Sequence, residues 1–169
     1  LARVYTHAWS LTGDASYRDV ATGTLDYMLR ELTTTDAALA ASQDADTEHV
    51  EGLTFTWRAT EIREVLGDDA PLFATAYGVT DDGNWEGVTI LSRTWPAQDQ
   101  PPRRDDRAHE AGLADARARL LARRATRPQP ARDDKALAAW NGLAIAAFAE
   151  AGRLLGEERY TAAAVRAAE

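Results

Sequence analysis

The sequence predicts a mainly α fold. Consecutive antiparallel helical hairpins are expected, stacked as a toroid or solenoid, with small β insertions. Three observations carry this. Apolar residues recur at helical spacing over 2–32, 106–125 and 134–155. The segments LTGDASY at 11–17 and LLGEERY at 154–160 resemble each other, each joining two helices through a glycine, an acidic residue and a tyrosine. Between them lie only short alternating stretches and turns.

The first helix is expected over 2–12, with Val4, Ala8 and Leu11 on its inner face and Gly13 as its stop. Ser16, with Asp19 three residues on, is a capping-box-like start for a second helix reaching Leu32. Its inward residues are Val20, Leu25, Met28 and Leu32. Residues 1–33 thus form one helical hairpin.

Residues 34–94 hold an acidic loop, a β insertion and short helices. Thr33 to Thr35 interrupt the helical pattern. Residues 37–43 read as a short strand or an extended loop, and 52–57 alternate as a strand. Together they would form a small hairpin carrying the loop 44–51. Short helices follow at 60–66 and 69–77, ended by Gly67 and Gly78. A turn at 81–84 precedes a short strand at 88–91. Residues 95–105 are rich in Pro, Asp and Gln and read as a linker.

Residues 106–169 return to helices. The first, over 106–125, turns Leu113, Ala116, Leu120 and Leu121 inward. The next spans 134–155, capped by Asp133 or Asp134. It is apolar almost all round and so expected to be buried on most sides. A last helix begins near Glu157.

Composition narrows the function. The 169 residues contain no cysteine, which removes disulfides, thiolate chemistry and Cys-based zinc sites and fits a cytoplasmic compartment. No apolar run reaches the roughly 18 residues that span a membrane. The net charge of −8 disfavours nucleic acid as a partner. The one basic stretch, 117–132, has no interleaved aromatics and reads as a solvated helix face with a linker. Lys135 is the only lysine among many arginines, a sign of a GC-rich or salt-adapted source. The chain starts at Leu1 without an initiator methionine and stops inside a helical pattern, so an internal fragment of a larger protein is expected.

Three clusters carry possible chemistry. Asp44, Asp46, Glu48 and Glu51 place four carboxylates in eight residues. The first three alternate, so an extended chain would present them on one face. They suit a cavity-facing polar loop with one carboxylate as general acid or base on a sugar, a hard-cation site, or a plain acidic surface loop. The EF-hand pattern fails, since the sixth position has no glycine. Asn84, Trp85 and Glu86 between Gly83 and Gly87 form either a sugar platform, with an indole face for C–H groups and polar groups for hydroxyls, or a turn with a packing tryptophan. Asp134, Trp140 and Asn141 open the third cluster, where a mid-helix Asn141-Gly142 pair marks a cavity contact or a structural asparagine that pins a loop. His7, His49 and His109 have no ligand spacing, and no nucleophile elbow, dinucleotide fingerprint or phosphate loop is present. Neither a metal nor a cofactor is expected.

Several motifs occur here in one order: SQDADTEHVEG, the aromatic stretch ending at Trp57, EIREVLG, YGVTDDGNWEG and DDKALAAWNGLAIAAFAEAGRLL. In this order they resemble the family called spermatogenesis-associated protein 20 in animals and YyaL-like or thioredoxin-domain-containing protein in microbes. The resemblance covers nearly the whole chain. It departs at 37–40, at Ala59-Thr60 and over 92–132. It implies the central part of an (α/α)6 toroid similar to N-acylglucosamine 2-epimerases and six-hairpin glycosidases, with a thioredoxin-like domain elsewhere in the full chain as partner.

On that frame Asp44, Asp46, Glu48, Trp85, Glu86, Asp134 and Asn141 would face a central cavity. A sugar-like small molecule would be the ligand, with Asp46 and Glu86 as acid and base if the parent is an enzyme. The alternative is a non-catalytic binding or scaffold domain serving the thioredoxin-like domain.

Overall fold

The computed structural model describes residues 1–93 and 106–169, with side chains from 109 onward in the second stretch. The linker expected over 95–105 lies outside the described residues. The fold is mainly α, and its β structure is limited to two-stranded pieces. The chain divides into two compact units, Leu1–Asp44 with Ala131–Glu169, and Ala45–Pro130.

The first unit is built from two helical hairpins. Helix α1 (Ala2–Thr12) and α2 (Ala15–Tyr27) meet at Gly13, whose φ of 71° lets its N–H close on the Trp9 carbonyl at 2.7 Å. Helix α6 (Ala138–Leu155) and α7 (Glu158–Ala168) meet in the same way at Gly156, also at φ 71°. The two connectors that look alike in sequence are therefore alike in conformation. Asp14 caps α2 by accepting from the Ser16 N–H at 2.9 Å. Beyond Tyr27 the helix widens into a π-helical turn over Met28–Leu32.

The core of this unit gathers Leu25, Phe148, Ala151, Leu155 and Tyr160, with Met28 and Leu32 packed against it. Small residues let the second hairpin close. A β-carbon on Gly152 would stand 2.7 Å from the Thr161 backbone nitrogen. Strand β1 (Ser42–Gln43) pairs antiparallel with β4 (Arg132–Asp133), in register Ser42 to Asp133.

The helical expectations hold in outline, with four corrections. Helix α2 is capped by Asp14 and begins at Ala15, so the expected start at Ser16 with Asp19 is not its cap. Helix α1 buries Ala2 and Thr6, while Val4 and Leu11 are 67% and 87% exposed. Thr6 is tolerated inside because its hydroxyl donates to the Ala2 carbonyl. Helix α6 begins at Ala138 rather than 134, with Leu137 at the N-cap and no capping side chain. Asp133 and Asp134 are drawn into ion pairs with Lys135 and Arg132 instead. Nor is α6 buried on most sides: Leu137, Trp140 and Leu143 are exposed.

The second unit packs α3 (Ala59–Leu66), α4 (Ala70–Tyr77) and α5 (Asp106–Arg124) around Trp57, Ile62, Leu66, Phe73, Leu113, Ala116 and Leu120. Gly67 and Gly78 end the two short helices at positive φ, as the sequence indicates.

Here the β expectations are corrected. Residues 52–57 form turns, since the N–H groups of Phe55 and Thr56 both donate to the Gly52 carbonyl. The hairpin lies within the acidic segment itself, with β2 (Asp46–Thr47) paired to β3 (Val50–Glu51). The strand expected at 88–91 reduces to isolated bridges, Trp85 with Val88 and Thr89 with Trp57.

The basic stretch 117–132 is largely absorbed by internal pairing. Arg117 and Arg119 bind Glu110 and Asp69. Arg132 reaches the carbonyls of Glu31 and Thr33 in the first unit. Arg127 is well enclosed, its side chain 13% exposed. It donates to the Thr54 and Thr56 carbonyls and to Glu61 while stacking 3.9 Å from the Trp57 ring.

Candidate functional site

In the second unit the acidic segment and Trp85 adjoin at Gly52, and each of the two segments carries a tight turn. In the β2–β3 hairpin only Glu48 and His49 lie between the paired strands, at φ 53° and 64°. Positive φ at both central residues is the requirement of a type I′ turn, which Asn-Gly meets at low cost. Glu and His meet it with strain of about 1 kcal/mol or more each. The second turn repeats the geometry: Trp85 bridges Val88 across Glu86 and Gly87, at φ 48° and 76°.

Gly52 joins them. It follows β3 directly, and a β-carbon there would stand 3.2 Å from Trp85 Cζ3. Only glycine combines its φ of 68° with that approach. Gly83 has a parallel role within its own loop, where a β-carbon would meet the Val88 carbonyl oxygen at 2.3 Å. The acidic segment is tied down from beneath by Thr47 and Thr54, both buried, whose hydroxyls lie 2.7 Å apart. Thr54 donates onward to the Pro128 carbonyl at 2.7 Å.

Asp46, Glu48 and Glu86 are exposed, and Trp85 is partly buried. The alternation expected for Asp44, Asp46 and Glu48 is broken, because Glu48 sits in the turn and Asp44 belongs to the other unit. Asn84 has a structural task. Its amide nitrogen donates to the Ile90 carbonyl at 2.9 Å, and its oxygen accepts from the Ile90 N–H at 2.8 Å, a side-chain copy of strand pairing. No group of three or more potential metal ligands is assembled among the described residues.

The remaining candidates lie in the first unit. Asn141 is buried, and its amide is committed to the loop before β1. It accepts from the Leu39 N–H at 2.7 Å and donates to the Leu39 and Leu137 carbonyls. Of the two readings of this residue, the loop-pinning one describes it. Asp134 is exposed and paired with Arg132 at 2.5 Å, and Trp140 is 56% exposed. The sequence candidates therefore fall into two groups, one on each unit.

Clefts are also present among the described residues of the second unit. One, of about 380 Å³, lies between α3, α4 and the Thr80-Asp81 loop, with the Arg63–Asp81 pair at its edge. Another, of about 290 Å³, is floored by Trp57 and Phe73. Neither is lined by Asp46, Glu48, Trp85 or Glu86.

Comparison with known proteins fits the motif order. Spermatogenesis-associated protein 20 of human is 31% identical over 94% of this chain and 24% of its own length. The mouse protein of that name is 30% identical over 100% of this chain and 25% of its own length. The chain belongs to the spermatogenesis-associated protein 20 family. It spans about a quarter of the length of the curated relatives it matches. No family model matches.

Within this family segment, sequence reasoning singled out Trp85 and the carboxylates but missed the residues that place them. Gly52, Thr54 and Arg127 carry no motif of their own. The available signal was a glycine directly after an acidic run, and the two-residue spacing of each turn.

Proposed function

We propose that this segment contributes a carbohydrate-binding surface centred on Trp85, with Asp46, Glu48 and Glu86 as flanking acceptors for hydroxyl groups. The observation that carries the reading is the approach of Trp85 to Gly52, which sets the indole against the base of the acidic hairpin, with Glu86 next to it in its own strained turn. An aromatic face that packs on sugar C–H groups, ringed by hydrogen-bonding groups, is the usual chemistry of such surfaces. Asn84 shapes the turn and is not a ligand in this reading.

Where the full polypeptide turns a sugar over, by epimerisation, isomerisation or glycoside cleavage, Asp46 and Glu86 are the acid and base. The helical hairpins are read as part of an (α/α)6 toroid, and the compartment as the cytoplasm. A thermal-shift screen of the full-length protein against mono- and disaccharides is the test. One sugar class raises the melting temperature, Trp85→Ala abolishes the rise, and Glu86→Gln weakens it without lowering the ligand-free melting temperature. No shift with any sugar sinks the reading.

A second reading, a non-catalytic binding domain serving an attached thioredoxin-like domain, draws on the exposed Leu137, Trp140 and Leu143 of α6. It predicts no sugar response, together with Trp140→Glu weakening the association of the two domains.

A further inference from the structure

The smaller cleft of the second unit has a composition unlike the rest of the chain. Its floor is apolar and closed, with Trp57, Phe73 and Leu120 at 4%, 1% and 3% exposure. Phe73 and Tyr77 stack at 4.3 Å and 14°, with Phe73 buried beneath, so the aromatic surface the cleft offers is that of the partly exposed Tyr77. The charged side chains lining it, Arg117 and Arg124, are both cations.

Arg117 is held in place, donating to the Tyr77 hydroxyl at 3.1 Å and to Glu110 at 2.9 Å. Arg124 lies with its guanidinium 5.2 Å from the Phe55 ring. Guanidinium groups fixed before a ligand arrives lose little rotamer freedom when it binds. A chain of net charge −8 that lines one apolar cleft with arginines favours a negative group there.

The volume of about 290 Å³ limits the apolar body. It lies at the lower bound, about 300 Å³, of clefts that hold small molecules. One or two fused rings are of a size to fill it.

We propose that this cleft binds a small arylcarboxylate, its ring system against Tyr77, Leu91 and Leu121 and its carboxylate on Arg117 and Arg124. The site is separate from the Trp85 surface and does not depend on the carbohydrate reading.

The test is calorimetric titration of the full-length protein with 1-naphthylacetate and with 1-naphthylacetamide, which keeps the ring and loses the charge. The acid binds at least about tenfold more tightly, as expected for a carboxylate on guanidinium donors. Arg124→Gln narrows the gap between acid and amide. Leu121→Trp, at the lining, fills the cleft and weakens both ligands. Equal affinity for acid and amide overturns the proposal, as does absence of acid binding up to its solubility limit. Undiminished binding by a Leu121→Trp protein that melts at the wild-type temperature also overturns it. The acid-to-amide comparison is made on the unaltered protein, so it stands even where a variant fails to fold.

Discussion

Trp85 stands where a side chain on Gly52 would be: a β-carbon at position 52 would lie 3.2 Å from Trp85 Cζ3 and 3.2 Å from Thr56 Cγ2. Gly52→Ala therefore strains the backbone and pushes on the indole together. At φ 68° an L-residue costs about 1–2 kcal/mol before any clash is counted. Urea unfolding should show a loss of at least that size, and Trp85 emission should shift to the red as the ring is displaced. A substitution that leaves both unchanged would mean that the two segments do not adjoin.

Asn141 ties α6 to the loop before β1 through both hydrogen bonds to Leu39. Asn141→Ala leaves a buried N–H and C=O without that partner, at a cost of about 1–3 kcal/mol for an unsatisfied group. Amide hydrogen exchange is the sensitive measurement. Protection at Leu39 should fall by more than protection at Ala151 in the same helix bundle.

Arg127→Lys tests whether the guanidinium fork matters more than the charge. Three acceptors, the Thr54 and Thr56 carbonyls and Glu61, converge on Arg127 while its plane covers Trp57. A lysine keeps the charge and loses the fork and the stack, for about 2 kcal/mol of stability. A loss under about 0.5 kcal/mol, the range of ordinary surface substitutions, would place Arg127 among the dispensable surface arginines.

Glu150 gives a pH signature. Hydrogen bonds from Arg3 hold its carboxyl below the ordinary value near 4.5, against the opposing effect of burial and with further help from the Arg3 charge and from His7. A carboxyl lowered in the folded state stabilises the fold fully above its unfolded value, and loses that contribution as pH falls through the lower folded value. In a His7→Gln background, which removes the second titrating partner, the melting-temperature difference between Glu150 and Glu150→Gln should therefore be flat from neutral pH down to about 5 and shrink below about 4.5. A difference that grows on acidification would reverse the assignment.

What the sequence determined by itself was local. Helix hairpins, their glycine stops at Gly13, Gly67, Gly78 and Gly156, and the shared connector were all legible, because chain stereochemistry and periodic apolar residues act over a few positions. So were the residue types gathered around Trp85. The tertiary structure alone decided which faces are covered and which polar groups are used up. Val4 and Leu11 fit an inward stripe yet lie exposed, because α1 buries its Ala2 and Thr6 side instead. Residues 52–57 alternate like a strand, yet bend into turns, because Thr54 finds its partners in Thr47 and Pro128 and Trp57 is held beneath Arg127. The sequence also allowed Asn141 a cavity contact, and only the Leu39 backbone, 102 residues away in sequence, showed what its amide binds. A hydrogen-bonding group carries no mark of its partner until distant segments meet, and burial is a property of the packed chain and not of any stretch within it.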